Sequence, residues 1–199
     1  MLVSMENESP DFGPLQPGAV LEDESFSDSV CADLDISGAD FTECRFTRCR
    51  FQGVRLQKAR FERCEFFAAD LSNAVVNGCL FIDCKLLGIN WTQAREPLLI
   101  ELQGCNCDES NFFGVNLAKL QLSGCSFRNA DFREAKLSKT SLVDADFSGA
   151  LFNKTDLSYA DLQGARNYWI DVRENKIRKA KFSLPEAMAL LTGLDIVLK

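Results

Sequence analysis

The stretch from Ala130 to Leu162, ADFREAKLSKTSLVDADFSGALFNKTDLSYADL, carries Phe or Leu at every fifth residue. Five is neither the 3.6-residue period of an α-helix nor the two-residue period of a flat strand. A fixed internal repeat decides architecture before any local propensity does. Two residues before most of the large positions stands a small one: Ala130, Ala135, Thr140, Ala145, Ala150, Thr155 and Ala160. Immediately before most of them stands a polar one: Asp131, Lys136, Ser141, Asp146, Asp156 and Asp161. From residue 112 the large residues run Phe112, Leu117, Leu122, Phe127, Phe132, Leu137, Leu142, Phe147, Phe152, Leu157 and Leu162. The order Phe-Leu-Leu-Phe therefore returns every twenty residues. A four-sided all-β coil of twenty residues explains this, because side chains one coil apart then stack like upon like. Each unit forms one side and turns its large and small residues inward. The small one must be small because four sides converge on a lumen packed at interior density. The other three positions face outward.

The same register extends backward. It runs from Leu21 and Phe26 through Ile36, Phe41, Phe46, Phe51, Leu56, Phe61, Phe66, Leu71, Val76, Phe81 and Leu86 to Trp91. Cys31 departs from the large-residue rule. Between Trp91 and Leu102 the step is eleven rather than ten. One residue is inserted in a segment that holds Pro97, which cannot donate a ladder hydrogen bond. The spacing predicts a bulge, kink or short loop around Arg95–Leu99, within a register break at 92–101. Two readings stand: a tolerated insertion, or a projecting contact feature formed by Arg95, Glu96 and Pro97. The second register runs from Leu102 and Cys107 to Ile177 and Phe182, with degenerate units at Asn167 and Val172. Thirty-two units make eight coils, a column of roughly 38 Å at a strand spacing of about 4.8 Å.

Of the nine cysteines, Cys44, Cys49, Cys64, Cys79, Cys84, Cys105 and Cys125 fall on the small inward position. They read as core packing, with Cys44, Cys64 and Cys84 in one ladder. There is no His and no paired C-x-x-C, so no metal or other cofactor is expected. Without His, a Gly-rich phosphate loop or a G-x-S-x-G elbow, the chain reads as a non-enzyme.

Residues 1–20 contain Pro10, Pro14 and Pro17 and read as a mobile leader. The start has neither a basic n-region nor an apolar core, and no run of about 18 apolar residues exists. A cytoplasmic protein without membrane contact is expected. Eleven of the 29 acids and none of the 22 bases precede residue 44, leaving residues 44–199 at net +4. The stretch 44–63 is markedly basic, with Arg45, Arg48, Arg50, Arg55, Lys58, Arg60 and Arg63.

The tail, 183–199, leaves the repeat. Ser183 and Glu186 fit a capping box, Pro185 suits a first helical turn, and Gly193 suits a helix stop before a short strand at Leu194–Leu198. Its apolar residues Leu184, Ala187, Met188, Leu190, Leu191, Leu194, Ile196 and Val197 suit a cap over the solenoid end, a homodimer interface, or both.

The A-[D/N]-L-x-x units over about residues 21–182 resemble the pentapeptide-repeat proteins. That resemblance implies a right-handed quadrilateral parallel β-helix. The segments FIDCKLLGINWTQAR (81–95) and NYWIDVRENKIRKAKFSLPEAMALLTGLDIVL (167–198) resemble the albicidin-resistance and Qnr group of that family. This implies a rod, dimerised through the C-terminal tails and similar to B-form DNA in size and surface. Such a rod binds DNA gyrase, a type II topoisomerase, and protects it from topoisomerase poisons such as albicidin or fluoroquinolones. No direct contact with nucleic acid is expected. Two 38 Å columns end to end make roughly 76 Å, near the length of about 22 base pairs. The outward acids Asp131, Asp144, Asp146, Asp156 and Asp161 are candidates to stand in for phosphates before a basic saddle. The alternative is that Asp before the large residue is repeat consensus on a solvated face. In that case the chain is a scaffold for a different protein partner.

Overall fold

The computed structural model describes residues 15–194 and Ile196. It is a parallel β-solenoid of about eight coils, with short 3-10 helices as the helical elements of the described chain.

The first side is the most continuous. Strands Val20–Glu22, Asp40–Thr42, Arg60–Glu62, Cys79–Ile82, Ile100–Gln103 and Gln121–Ser123 pair in parallel in that order. Bridges carry the side on through Ser141 to the strand pair Asp161–Leu162 and Lys181–Phe182. The second side begins as strands Ser25–Ser27, Arg45–Thr47, Glu65–Phe67 and Lys85–Leu87 and continues as bridges through Asn106, Ser126, Asp146 and Arg166. The third and fourth sides are ladders of isolated parallel bridges, such as Asn111↔Asp131↔Leu151 and Asn116↔Lys136↔Asp156↔Lys176.

Partners lie twenty residues apart up to Phe61↔Phe81, twenty-one apart at Phe81↔Leu102, and twenty apart again at Leu102↔Leu122. The single inserted residue is therefore absorbed within one coil. The lumen is built as the period requires. Phe41, Phe61, Phe112, Phe132, Ala39, Ala59, Ala130 and Ala135 are all buried. All nine cysteines are buried. The thiols donate weakly to carbonyls of the preceding coil, as Cys64 Sγ does to Phe41 O at 3.3 Å. Burial pushes the Cys79 thiol up to about 12. Cys31 is buried where the repeat calls for a large residue. The hydroxyls at small positions are satisfied the same way: Thr140 and Thr155 donate to Leu117 O and Phe132 O at 2.7 and 2.8 Å.

The corners explain the remaining periodicity. The N–H of the small residue closes on the carbonyl three residues before it, as Ala39 does on Ile36 and Ala135 on Phe132. The residue two after most large positions takes a positive φ, including Lys58, Arg63, Ala68, Glu109 and Lys139. Left-handed backbone is unusual for such side chains. Here inter-coil hydrogen bonds on both flanks hold it in place.

Three local expectations change. Residues 15–20, grouped with the leader, lie on the first coil: Leu15 and Ala19 pack against the core and Gly18 donates to Ser37 O. The first fourteen residues lie outside the described ones. At the degenerate end, Asn167 is exposed and Val172 half-buried, while Tyr168 and Ile170 enter the interior. The chain there leaves the five-residue phase, and Tyr168 and Ile170 supply the interior volume that Asn167 does not. The tail forms a 3-10 helix, Glu186–Leu194, that contains Gly193 instead of ending before it. The hydroxyl of Ser183 accepts from Gly164 N–H, tying the tail to the last coil in place of a capping box. Most of the predicted strand at 194–198, including Val197, lies outside the described residues.

Candidate protein-interaction surfaces

No helix of the described residues is long and apolar enough to cross a membrane. Three outward features stand apart from the repeat: the break on the fourth side, the C-terminal end, and the charged positions of the walls.

At the break, Asn90 caps a short 3-10 turn, Trp91–Gln93, by accepting from Thr92 N–H. Arg95 N–H still pairs with Ala74 O, and the ladder then lapses until Leu99, whose carbonyl accepts from Gly78 N–H. Leu98 turns inward and is buried, whereas Leu99 is left 48% exposed. Glu96 and Pro97 project, joined by a cis peptide bond. Clefts open on both sides of the projection. One of about 570 Å³ is lined by Asp33, Gln52, Arg55, Asn73 and Arg95. The other, of about 440 Å³, is lined by Glu96, Pro97, Leu99, Asn116 and Lys119. The site residues Arg95, Glu96 and Pro97 thus share one protrusion midway along the column.

At the C-terminal end, Leu184, Met188, Leu194 and Ile196 are exposed, Leu184 at 77%. Ala187, Leu190 and Leu191 are half-buried, and Leu190 packs on the core. The tail divides its apolar residues between covering the last coil and facing outward. Trp169, 64% exposed, adds a large ring in the same terminal part of the chain.

The five candidate acids are not equivalent. Asp131, Asp146, Asp156 and Asp161 each accept the N–H two residues on, from Arg133, Ser148, Ser158 and Gln163. This Asx bond turns the corner after the large residue. Asp131 is also gripped by both nitrogens of Arg133, whose hydrogen bonds outweigh burial and hold its carboxyl below the usual range. Lys181 reaches Asp161 at 2.9 Å. Asp146 corrects the expectation of an outward acid, because it is only 2% exposed. Arg128 and Arg166 converge on it at 3.0 and 3.4 Å, and Asn167 donates at 2.9 Å. Burial pushes its pKa up, but these donors, with Ser148 N–H, bring it below the ordinary value. Asp144 alone of the five is fully outward, on a left-handed corner with its carboxylate over Gly164. A Cβ on Gly164, at φ +71°, would lie 2.0 Å from that carboxylate oxygen and would push the exposed Asp144 side chain aside.

The basic stretch 44–63 is sandwiched between acidic coils. Arg48, Arg55, Arg60 and Arg63 reach Asp28, Asp35, Asp40 and Glu43, each twenty residues earlier. Arg45 and Lys85 share Glu65, and Glu62 bridges Arg60 and Arg63. Asp28, Asp35, Asp40 and Glu43, four of the acids before residue 44, are counter-charges of this stretch.

The sequence model described as pentapeptide repeats matches eight copies, over residues 25–63, 44–81, 101–129 and 130–166. The chain belongs to the pentapeptide-repeat family. No curated protein sequence matches it. Among solved structures, full-length QnrB1, a plasmid-mediated fluoroquinolone resistance protein, superposes with a TM-score of 0.76 at 22% identity, over 91% of this chain and 92% of that one. Trypsin-treated forms of two QnrB1 variants superpose at TM-scores of 0.64 and 0.63, both at 21% identity. They cover 92% of this chain, and 91% and 92% of their own. At that identity the likeness is one of fold.

Within this pentapeptide-repeat column, the sequence reading missed two things. The corner residues with positive φ were visible as Gly or Asn at the position two after the large residue, for example Gly53, Asn73 and Asn129. The Asx role of the acid was visible as the interchange of Asp and Asn before the large residue, as at Asn111, Asn116 and Asp131. An amide cannot mimic a phosphate, but it accepts the same N–H.

Proposed function

We propose that this pentapeptide-repeat protein binds DNA gyrase as a homodimer and protects it from topoisomerase poisons such as albicidin or fluoroquinolones. The observation that carries the reading is the C-terminal end, where Leu184, Met188, Leu194 and Ile196 leave an apolar surface beyond what the last coil needs. Joining two such ends buries it and produces a straight rod of roughly 76 Å, from two columns of eight 4.8 Å coils. The projection at Arg95–Leu99 supplies a second contact midway along each arm. Internal pairing of Asp131, Asp146 and Asp161 means that recognition rests on rod shape and on that projection more than on a row of free acids.

The test is supercoiling by purified gyrase in the presence of albicidin or a fluoroquinolone, with this protein titrated in. Rescue of supercoiling is expected. The double substitution Leu184→Asp with Met188→Asp should give a monomer by sedimentation and abolish rescue. Absence of rescue by the wild-type dimer at every concentration would overturn the reading.

One observation favours a second reading. Of the five candidate acids only Asp144 is fully outward, which suits a structural scaffold for another protein partner. In that case the dimer forms and gyrase is unaffected.

A further inference from the structure

The fourth side of the C-terminal half carries a charge pattern found on no other described wall. Its outward positions are Asn116, Lys136, Asp156 and Lys176 along one bridged ladder. The following corner holds Lys119, Lys139, Tyr159 and Lys179, all with positive φ, and Arg178 stands between the two rows. All six cations are exposed. Elsewhere the guanidinium and ammonium groups are mostly matched with carboxylates, either one coil away or two residues away. None of these six has a carboxylate within 4.0 Å in the described structure, and only three other described cations share that condition. Asp156 is the one acid in the wall. Burial raises its pKa, but the bonds from Ser158 and the charge of Lys176 outweigh this and hold it ionised. The neighbouring corner adds Glu134 and Glu174, the first paired with Lys154 at 3.8 Å and the second facing Asn153. The wall therefore keeps an excess of about four to five positive charges.

We propose that this wall is a contact surface for the phosphate backbone of duplex nucleic acid. Charge sign selects a polyanion. A folded acidic protein is disfavoured because an interface needs an apolar centre. The outward residues here offer only Ala118 and Tyr159. A single strand is disfavoured because it needs open aromatic faces to stack on. Tyr159 is the only ring on the wall, and Lys139 and Lys179 lie over it at 5.9 and 5.5 Å from the centroid. A duplex needs neither feature. Three coil steps at about 4.8 Å give the wall an axial reach of roughly 15 Å. That length of duplex carries about nine phosphates at one per 1.7 Å. The inference rests on charge placement and is independent of the gyrase reading.

The test uses the full-length protein without gyrase. Its binding to a fluorescein-labelled 30-base-pair DNA duplex is read by anisotropy between 50 and 200 mM salt. Contacts to four or five phosphates predict a slope of log K against log salt of about −4, a loss of roughly two hundred-fold over that range. Lys136→Glu with Lys176→Glu should weaken binding at least tenfold and flatten the slope by about two. Arg50→Glu with Lys58→Glu changes the net charge equally, lies outside the wall, and should weaken binding less than threefold. No binding at 50 mM salt would overturn the proposal. Equal loss in both double variants would do the same, as would preference for a poly-glutamate peptide over the duplex.

Discussion

The two halves of the column, before and after the break at residues 91–100, solve the same packing problem with different residues. Before the break the aromatic columns stand on the first and second sides. Phe61 stacks between Phe41 and Phe81 with centroids 4.9 Å away on each side. Phe46 stacks between Phe26 and Phe66 on the second side. After the break the columns stand on the second and third sides, where Phe132 stacks between Phe112 at 5.0 Å and Phe152 at 5.5 Å. Trp91 stacks on Phe112 and meets Phe81 edge-on, so it joins the two arrangements. The lumen accepts aromatic columns on either of these adjacent pairs of sides, where neighbouring columns meet edge to face. The walls differ more. The first half balances charge along the column axis, coil against coil, and keeps strands on two sides. The second half also pairs coil against coil at Glu134, Asp146 and Asp161, adds pairs two residues apart at Asp131 and Asp171, and leaves its fourth side in excess. The repeat constrains the two inward positions and leaves the outward ones free to diverge.

The largest expected effect tests whether the two cores are equivalent. Phe61→Ala and Phe132→Ala each remove a fully buried ring from the middle of a stack. Each should cost about 3–5 kcal/mol in urea unfolding. A difference beyond about 1.5 kcal/mol would show that one half folds more loosely.

Next comes the contrast between buried and exposed charge. Asp146→Ala should cost about 1–3 kcal/mol, because it removes the one buried acceptor shared by Asn167, Ser148 N–H, Arg128 and Arg166. Arg48→Ala, which breaks an exposed pair with Asp28, should leave the melting temperature within experimental scatter.

Asp146 also gives the pH dependence a sign. Its folded pKa lies below the ordinary 3.8. The stability it contributes is therefore complete above that value and lost as pH falls through the folded pKa. The wild type should lose stability below about pH 4, and Asp146→Asn should lose less over the same interval. Equal acid sensitivity of the two would remove Asp146 as its source.

The smallest stabilising effect probes the corners, which both halves share. Ala68 and Glu109 have φ of 51° and 60°. Replacing either by Gly should raise stability by about 0.5–1 kcal/mol, because left-handed backbone costs an L-residue more than glycine. Destabilisation by either change would show that the unfolded-chain entropy of glycine dominates.

The five-residue period by itself determined the coil, its four sides, the inward pair and the place of the inserted residue, because lumen packing admits no other phase for Phe61 or Ala130. It also marked Leu184, Met188 and their neighbours as apolar surplus. Only the tertiary structure decided which charges are free. Asp146 and Asp144 differ by two positions in a sequence full of acids. One is enclosed by Arg128 and Arg166 from the coils on either side, and the other stands on an open corner. Partners twenty residues away are neighbours only once the coil has closed, and that closure also left the lysines of the fourth side without carboxylates. The end of the register followed the same logic: Tyr168 and Ile170 displaced Asn167 from the interior because a lumen of fixed width must be filled, whatever the phase of the repeat.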